Sequence, residues 1–438
     1  LAVLSLFVFG LHGSYLSWSS VGILLACFFA VAVFAHRRLY ETRPAGHQLT
    51  AFYLTMSVGG ALGGLFNSVI APVAFSGLHE AKITTVLAVL LFIRFAYPAK
   101  DGLLRFALGL AIGLACAVPA ILAGLFTDGE NWRAMLLFLV LGGVLSVAFQ
   151  RSSALGLYGA GMALLLVGTF YKPDPALMRD RSFFGTHVVA ESEGMRLYGN
   201  GTTVHGAQRL TNDITARPEP LFYYHRNGPL AQVLASERAD AADTIGIVGL
   251  GVGALACYSQ PGQNWHYYEI DALVDQIARN TAYFRFLSDC TPNAPTHMGD
   301  ARMVLATQED LRFDILVIDA YSSDAVPVHL TTHEAMQLYL DRLTPDGILV
   351  YHISNRYYEI DIPLGRSAAD LGLTAMIQSY NGNVKQDPGD SASLAVALAR
   401  TPAALGSIAT DPRWQVLESD GGRIWTDDFA NLMSIIKR

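Results

Sequence analysis

The chain changes character once along its length. From residue 1 to about 171, apolar segments follow one another with short polar breaks, whereas from Lys172 onward apolar and polar positions mix as in a globular protein. The change falls at Lys172-Pro173-Asp174-Pro175, where the prolines cannot continue a helix. Apolar stretches at 1–11, 19–35, 49–72, 83–96, 103–126, 134–149 and 154–170 predict about seven helices, because a backbone in lipid must satisfy its own hydrogen bonds. Several are shorter than the ~20 residues of a full crossing. The third stretch puts Gly59, Gly60, Gly63 and Gly64 within six positions. Close helix packing is expected there, with a cavity lined by Asn67, His79 and Glu80 as the alternative.

Between Asp243 and Arg400 short apolar runs alternate with helix-period stretches, the pattern of a parallel sheet covered by helices. Strands are predicted at 244–249, 266–270, 296–298, 313–319, 347–353, 374–378 and 393–399. Right-handed crossovers would bring their C-terminal tips to one edge.

Composition sharpens this division. Mean hydropathy is +0.33 and only 15% of the 438 residues are charged, too apolar for an ordinary soluble protein. A net charge of −7 without a basic cluster argues against nucleic acid. Cys27, Cys116, Cys257 and Cys290 lie far apart with no metal spacing, so reduced packing residues are expected and no metal. Arg37, Arg38, Arg43, Lys100, Arg105 and Arg151 fall in one alternating set of loops, which the positive-inside rule assigns to the cytoplasm. If every later segment crosses once, the second half lies outside. A cytosolic location for that half then requires a re-entrant or miscounted segment, the glycine-rich third being the first candidate.

The chemistry is concentrated at the strand tips. The first strand runs into Gly249-Leu250-Gly251-Val252-Gly253, a glycine turn expected to open a helix and let a nucleotide approach the backbone. The second ends in Glu269-Ile270-Asp271, about twenty residues on, where a carboxylate can accept both hydroxyls of a ribose. The third leads to Gly299-Asp300-Ala301-Arg302, with a carboxylate suited to an adenine amino group. The fourth delivers Asp319, followed by a loop carrying Asp324 and His329. Two carboxylates at that place could attract a cation and remove an amine proton; a helix-capping Asp324 and a structural His329 are the plainer alternatives.

At these residues the sequence resembles the spermidine synthase (polyamine aminopropyltransferase) family, and more closely its membrane-fused branch, the fused transporter-like/spermidine synthase proteins. Besides the nucleotide motifs, the resemblance includes the stretch from Leu49 to Phe75, Arg181-Ser182-Phe183-Phe184-Gly185, Gly201 to Gln208, Pro220 with Tyr223-Tyr224, and Trp425-Thr426-Asp427-Asp428. It implies a multi-pass α-helical membrane domain over 1–172, a small N-terminal β subdomain over 173–240, and an α/β Rossmann-like (class I methyltransferase-type) domain over 241–438. Strands at 186–189 and 195–198 would flank a hairpin at Glu193-Gly194. It further implies that Gln208, Gly249, Gly251, Gly253, Glu269, Ile270, Asp300, Ala301 and Asp319 contact S-adenosylmethionine or its decarboxylated form, and that Asp319, with Asp324 and Tyr223, serves catalysis.

There are departures. Soluble members carry an aspartate inside the glycine turn and a second close to the catalytic one, which hold the amino groups of donor and acceptor. Here Val252 stands in the turn, Asp324 is displaced by a longer loop, and Tyr223-Tyr224-His225 lacks the acidic residue that commonly follows the tyrosine. The expected activity is cleavage of the aminopropyl-side C–S bond with release of methylthioadenosine and transfer to an amine. A lyase needing no acceptor, a methyltransferase, and a nucleoside- or polyamine-sensing transporter-like protein are the alternatives. Expected partners are a small molecule such as a polyamine, the lipid bilayer of a bacterial-type inner membrane with the soluble domain cytoplasmic, and a second copy of the chain.

Overall fold

A computed structural model describes residues 18–78, 80, 83–84, 104 and 107–111, and 176–437 apart from 202, 212, 214 and 321–326. The chain divides into two units, Leu1–Pro175 and Ala176–Arg438.

In the first unit, α1 (Trp18–Glu41) ends where Arg37 and Arg38 both reach Glu41, at 2.9 and 2.7 Å. Helix α2 (Leu49–Leu65) continues through a π-helical turn at Phe66–Ile70 into Ala71–Ala74. Asn67, in that turn, donates back to the Gly63 carbonyl at 2.9 Å. Gly46–Ala74, 29 residues that include an 18-residue stretch of mean hydropathy 1.4, is the one helical run among the described residues long and apolar enough to cross a membrane. A Cβ placed on Gly59, Gly60, Gly63 or Gly64 would meet nothing within 4 Å among the described residues. The other expected helices, and His79, lie wholly or largely outside the described residues.

The second unit has two sheets. Strands β1 (Ala176–Ser182), β2 (Gly185–Ser192), β3 (Met195–Asn200) and β4 (Thr203–Arg209) form an antiparallel meander. Its β2–β3 hairpin turns at Glu193 and Gly194, with φ of 50° and 74°, the two positive values a tight hairpin needs.

The larger sheet comprises β5 (Thr244–Val248), β6 (Asn264–Glu269), β7 (Thr296–Met298), β8 (Phe313–Ile318), β9 (Leu343–His352), β10 (Thr374–Gly382), β11 (Ser391–Ala399) and β12 (Gln415–Val416), in the order β12-β10-β11-β9-β8-β5-β6-β7. β5 through β9 pair in parallel. Sequence periodicity implied a parallel sheet throughout, but the sheet is mixed. β10 and β11 form an antiparallel hairpin, and β11 inserts antiparallel between β10 and β9. Side chains alternate between two cores: Ile315, Val317, Ile348 and Val350 enter one, Leu316, Ile318, Leu349 and Tyr351 the other. The central strands are buried on both faces, which explains their nearly continuous apolar runs. The result is a Rossmann-like, methyltransferase-type fold.

Cys257 and Cys290 form a disulfide, with Cα atoms 5.0 Å apart. This corrects the expectation of reduced packing residues. The bond joins the short 3-10 helix Ala254–Tyr258, beyond β5, to the end of another short helix, Phe286–Cys290, across 33 residues of sequence.

Candidate active site

The parallel strands end at one edge, where a cleft of about 400 Å³ opens, a volume suited to a small ligand. β5 leads into Gly249, Gly251 and Gly253, with φ of 93°, 53° and 78°, conformations that favour glycine. A side chain on Gly249 would collide with the Asp319 backbone, 2.3 Å from its Cβ. The turn opens a short 3-10 helix, Ala254–Tyr258, in place of the expected longer helix. Gly249 and Gly251 line the cleft, while Gly253 packs under Leu287 and does not.

β6 ends at Glu269, whose Oε2 accepts from the Leu250 N–H at 3.0 Å and Oε1 from the Asp271 N–H at 2.9 Å. Burial holds its carboxyl above the usual glutamate value, against those two backbone donors. Asp271 caps the following helix, Ala272–Arg279, accepting from the Leu273 N–H. It also receives Ser182 and lies 3.1 Å from His187 Nε2, tying the small sheet to the large one. Burial raises its pKa, but those bonds outweigh it and hold the carboxyl below the ordinary value.

After β7, Asp300 caps the helix Ala301–Thr307 through its Oδ1. Its Oδ2 meets His329 Nε2 at 2.8 Å. Ile270 and Ala301 stand on the same wall.

Asp319, at the tip of β8, has a side chain only 4% exposed. Its Oδ2 accepts from the Tyr224 hydroxyl and its Oδ1 contacts His352 Nδ1, both at 2.6 Å. Tyr223 lies against the His352 ring, with centroids 4.9 Å apart, and its hydroxyl donates to the Val204 carbonyl at 3.3 Å. Burial, then the nearby Asp319 charge, raises both tyrosine phenols far above their ordinary value, so both remain protonated donors. The pair is aimed by Phe222, whose φ of 59° is exceptional for a bulky residue. A backbone bond to the Gly389 carbonyl anchors that strained turn.

Of the residues singled out by sequence, Tyr223, Gly249, Gly251, Glu269, Ile270, Asp300, Ala301 and Asp319 come together around this cleft. Gln208 does not line it: its Oε1 accepts from the Arg285 N–H at 2.8 Å. Asp324 lies outside the described residues. Trp425-Thr426-Asp427-Asp428 is a clamp away from the cleft, with Asp427 receiving Arg302 and Thr332. Sequence reasoning quoted Tyr224 and Asp271 within motifs without singling them out as site residues, and passed over His352 and Ser354. The available signal for His352 was a polar residue ending the strand predicted at 347–353, the neighbour of the strand carrying Asp319.

Comparison with known proteins adds a relationship. No protein-family model matches the chain. It is 27% identical over 238 residues to the polyamine aminopropyltransferase of Vibrio vulnificus (strain CMCP6), covering 49% of this chain and 76% of that protein. It is 27% identical over 148 residues to the probable polyamine aminopropyl transferase of Bifidobacterium longum (strain NCC 2705), 33% of this chain and 30% of that protein. Among solved structures, a probable spermidine synthase from Corynebacterium glutamicum ATCC 13032 superposes with a TM-score of 0.42 at 14% identity, covering 59% of this chain and 99% of that one. The homology to polyamine aminopropyltransferases lies in the C-terminal half.

Proposed function

We propose that the C-terminal unit is an aminopropyltransferase that binds decarboxylated S-adenosylmethionine and passes its aminopropyl group to a small amine, releasing methylthioadenosine. The observation that carries this reading is the charge of the cleft. Glu269, Asp271, Asp300 and Asp319 line it, and no lysine or arginine stands among its described lining residues. Sulfonium and ammonium groups are cations, and carboxylates at the mouth of a low-dielectric cleft attract and orient them. Similarity to proteins named polyamine aminopropyltransferases supports the reaction class.

In this reading Glu269 accepts from the ribose hydroxyls and Asp300 from the adenine amino group. The acceptor nitrogen attacks the methylene carbon bonded to sulfur. The C–N bond forms as the C–S bond breaks, the bonding pair stays on sulfur as a neutral thioether, and Asp319 takes the proton the nitrogen loses. Asp324, outside the described residues, is proposed as the second carboxylate for the amine. Gly46–Ala74, apolar enough to span a bilayer, supports a membrane-embedded N-terminal half.

The test is incubation of the purified full chain with decarboxylated S-adenosylmethionine and putrescine, with products identified by mass spectrometry. Methylthioadenosine and an aminopropylated amine are expected in equal amounts. Asp319→Asn should abolish turnover while methylthioadenosine still binds. Consumption of neither substrate, or formation of S-adenosylhomocysteine from intact S-adenosylmethionine, would refute the reading.

A further inference from the structure

β9 lies beside β8 in parallel register, so its last residue, His352, arrives next to Asp319. Both side chains are almost wholly enclosed, at 5% and 4% exposure, yet both residues line the cleft together with Ser354. The hydrogen-bond directions in this group follow from its chemistry. In the state that can take a proton, Asp319 is a carboxylate and only accepts, so His352 Nδ1 must carry the hydrogen it shares with Oδ1. His352 Nε2 meets Ser354 Oγ at 2.7 Å, and that oxygen already accepts from the Leu394 N–H at 2.9 Å. With the hydrogen on Nδ1, a neutral His352 presents Nε2 as an acceptor, so the serine hydroxyl donates to it while its oxygen accepts from β11.

We infer that His352 is a positioning residue for Asp319, itself steadied at Nε2 by Ser354. This rests on the reading of Asp319 as the amine base. His352 holds Oδ1 and Tyr224 holds Oδ2, so the plane of a carboxylate that lines the cleft is set. The stacked Tyr223 ring keeps the imidazole from turning. Loss of His352 frees the carboxylate to rotate away from the acceptor nitrogen. The effect is slower chemistry at unchanged donor binding.

The experiment compares wild type with His352→Ala, His352→Asn and His352→Gln, measuring kcat, KM for the sulfonium donor, and methylthioadenosine binding by calorimetry. An asparagine amide reaches the Nδ1 position and a glutamine amide the Nε2 position. His352→Ala and His352→Gln should lose about 10²-fold in kcat with donor KM and methylthioadenosine binding unchanged. His352→Asn should recover about tenfold of that loss. Methylthioadenosine binding certifies that each variant is folded. Equal kcat for the asparagine and glutamine variants, or wild-type kcat in either His352→Ala or His352→Gln, would overturn the inference. A wild-type protein that consumes no donor would instead overturn the aminopropyltransferase reading.

Discussion

Val252 and Gly206 touch across the seam between the small sheet and the glycine turn: a Cβ on Gly206 would lie 2.4 Å from Val252 Cγ2. Val252 is fully buried and is absent from the cleft wall. The position that carries an aspartate in the soluble enzymes this chain resembles thus serves packing here. Gly206→Ala should cost about 1–3 kcal/mol through overpacking, read as a lower thermal midpoint. Val252→Asp should destabilise the fold by at least as much, because it buries a carboxylate without a partner. A Val252→Asp protein that gains activity at wild-type stability would contradict this assignment.

Tyr224 is the hydroxyl donor to Asp319 Oδ2. Tyr224→Phe keeps the ring and removes one hydrogen bond to a charged acceptor, a loss of about 1.5–3 kcal/mol when that bond is used in the transition state. Steady-state kinetics should register it in kcat, with methylthioadenosine affinity unaltered. An equal loss in nucleoside affinity would place Tyr224 in binding.

Glu269 ties affinity to pH. Burial raises its folded pKa above the ordinary 4.5, so in the empty protein it contributes stability that is present below its unfolded value and lost as pH rises through the folded one. Ribose hydroxyls donate to the ionised form. Methylthioadenosine affinity should accordingly fall as pH drops through that raised value, with proton release on binding detectable by calorimetry in buffers of different ionisation enthalpy. Glu269→Gln should cost about 1–3 kcal/mol in nucleoside binding, since an amide accepts through one oxygen where the carboxylate uses two.

The disulfide should matter for stability more than for chemistry. Closing a loop between residues 33 apart restricts the unfolded chain by about 3–4 kcal/mol in the chain-entropy account. Cys257→Ser, or reduction of the native protein, should lower the thermal midpoint by that equivalent while leaving kcat intact at temperatures where the domain stays folded. Thiol counting before and after reduction checks the bond directly.

The parts of this molecule that were readable in advance share a physical cause. A strand buried on both faces is a run of apolar residues, and where it stops at a cleft the next residue is glycine or acid, which is why Gly249, Glu269, Asp300 and Asp319 stood out. Strand order leaves no such local trace, so the antiparallel insertion of β11 could not be anticipated from alternation in 393–399. His352 was hidden because Tyr351-His352-Ile353 reads as the end of a strand whose flanking residues are both fully buried. The cysteine pair was hidden because a separation of 33 carries no recognisable spacing. Gln208 came from family likeness alone, and its side chain is committed to the Arg285 backbone.

The strained Phe222 turn has a consequence that reaches beyond the cleft. Its tether, Gly389, belongs to the connection between β10 and β11, so the backbone that presents the tyrosines to Asp319 is held by a hairpin synthesised much later. A chain halted before that hairpin would keep the glycine turn with Glu269 and Asp300 but lack the bond that steadies its tyrosines. Changes in residues 383–390 should therefore impair turnover well before they impair nucleoside capture.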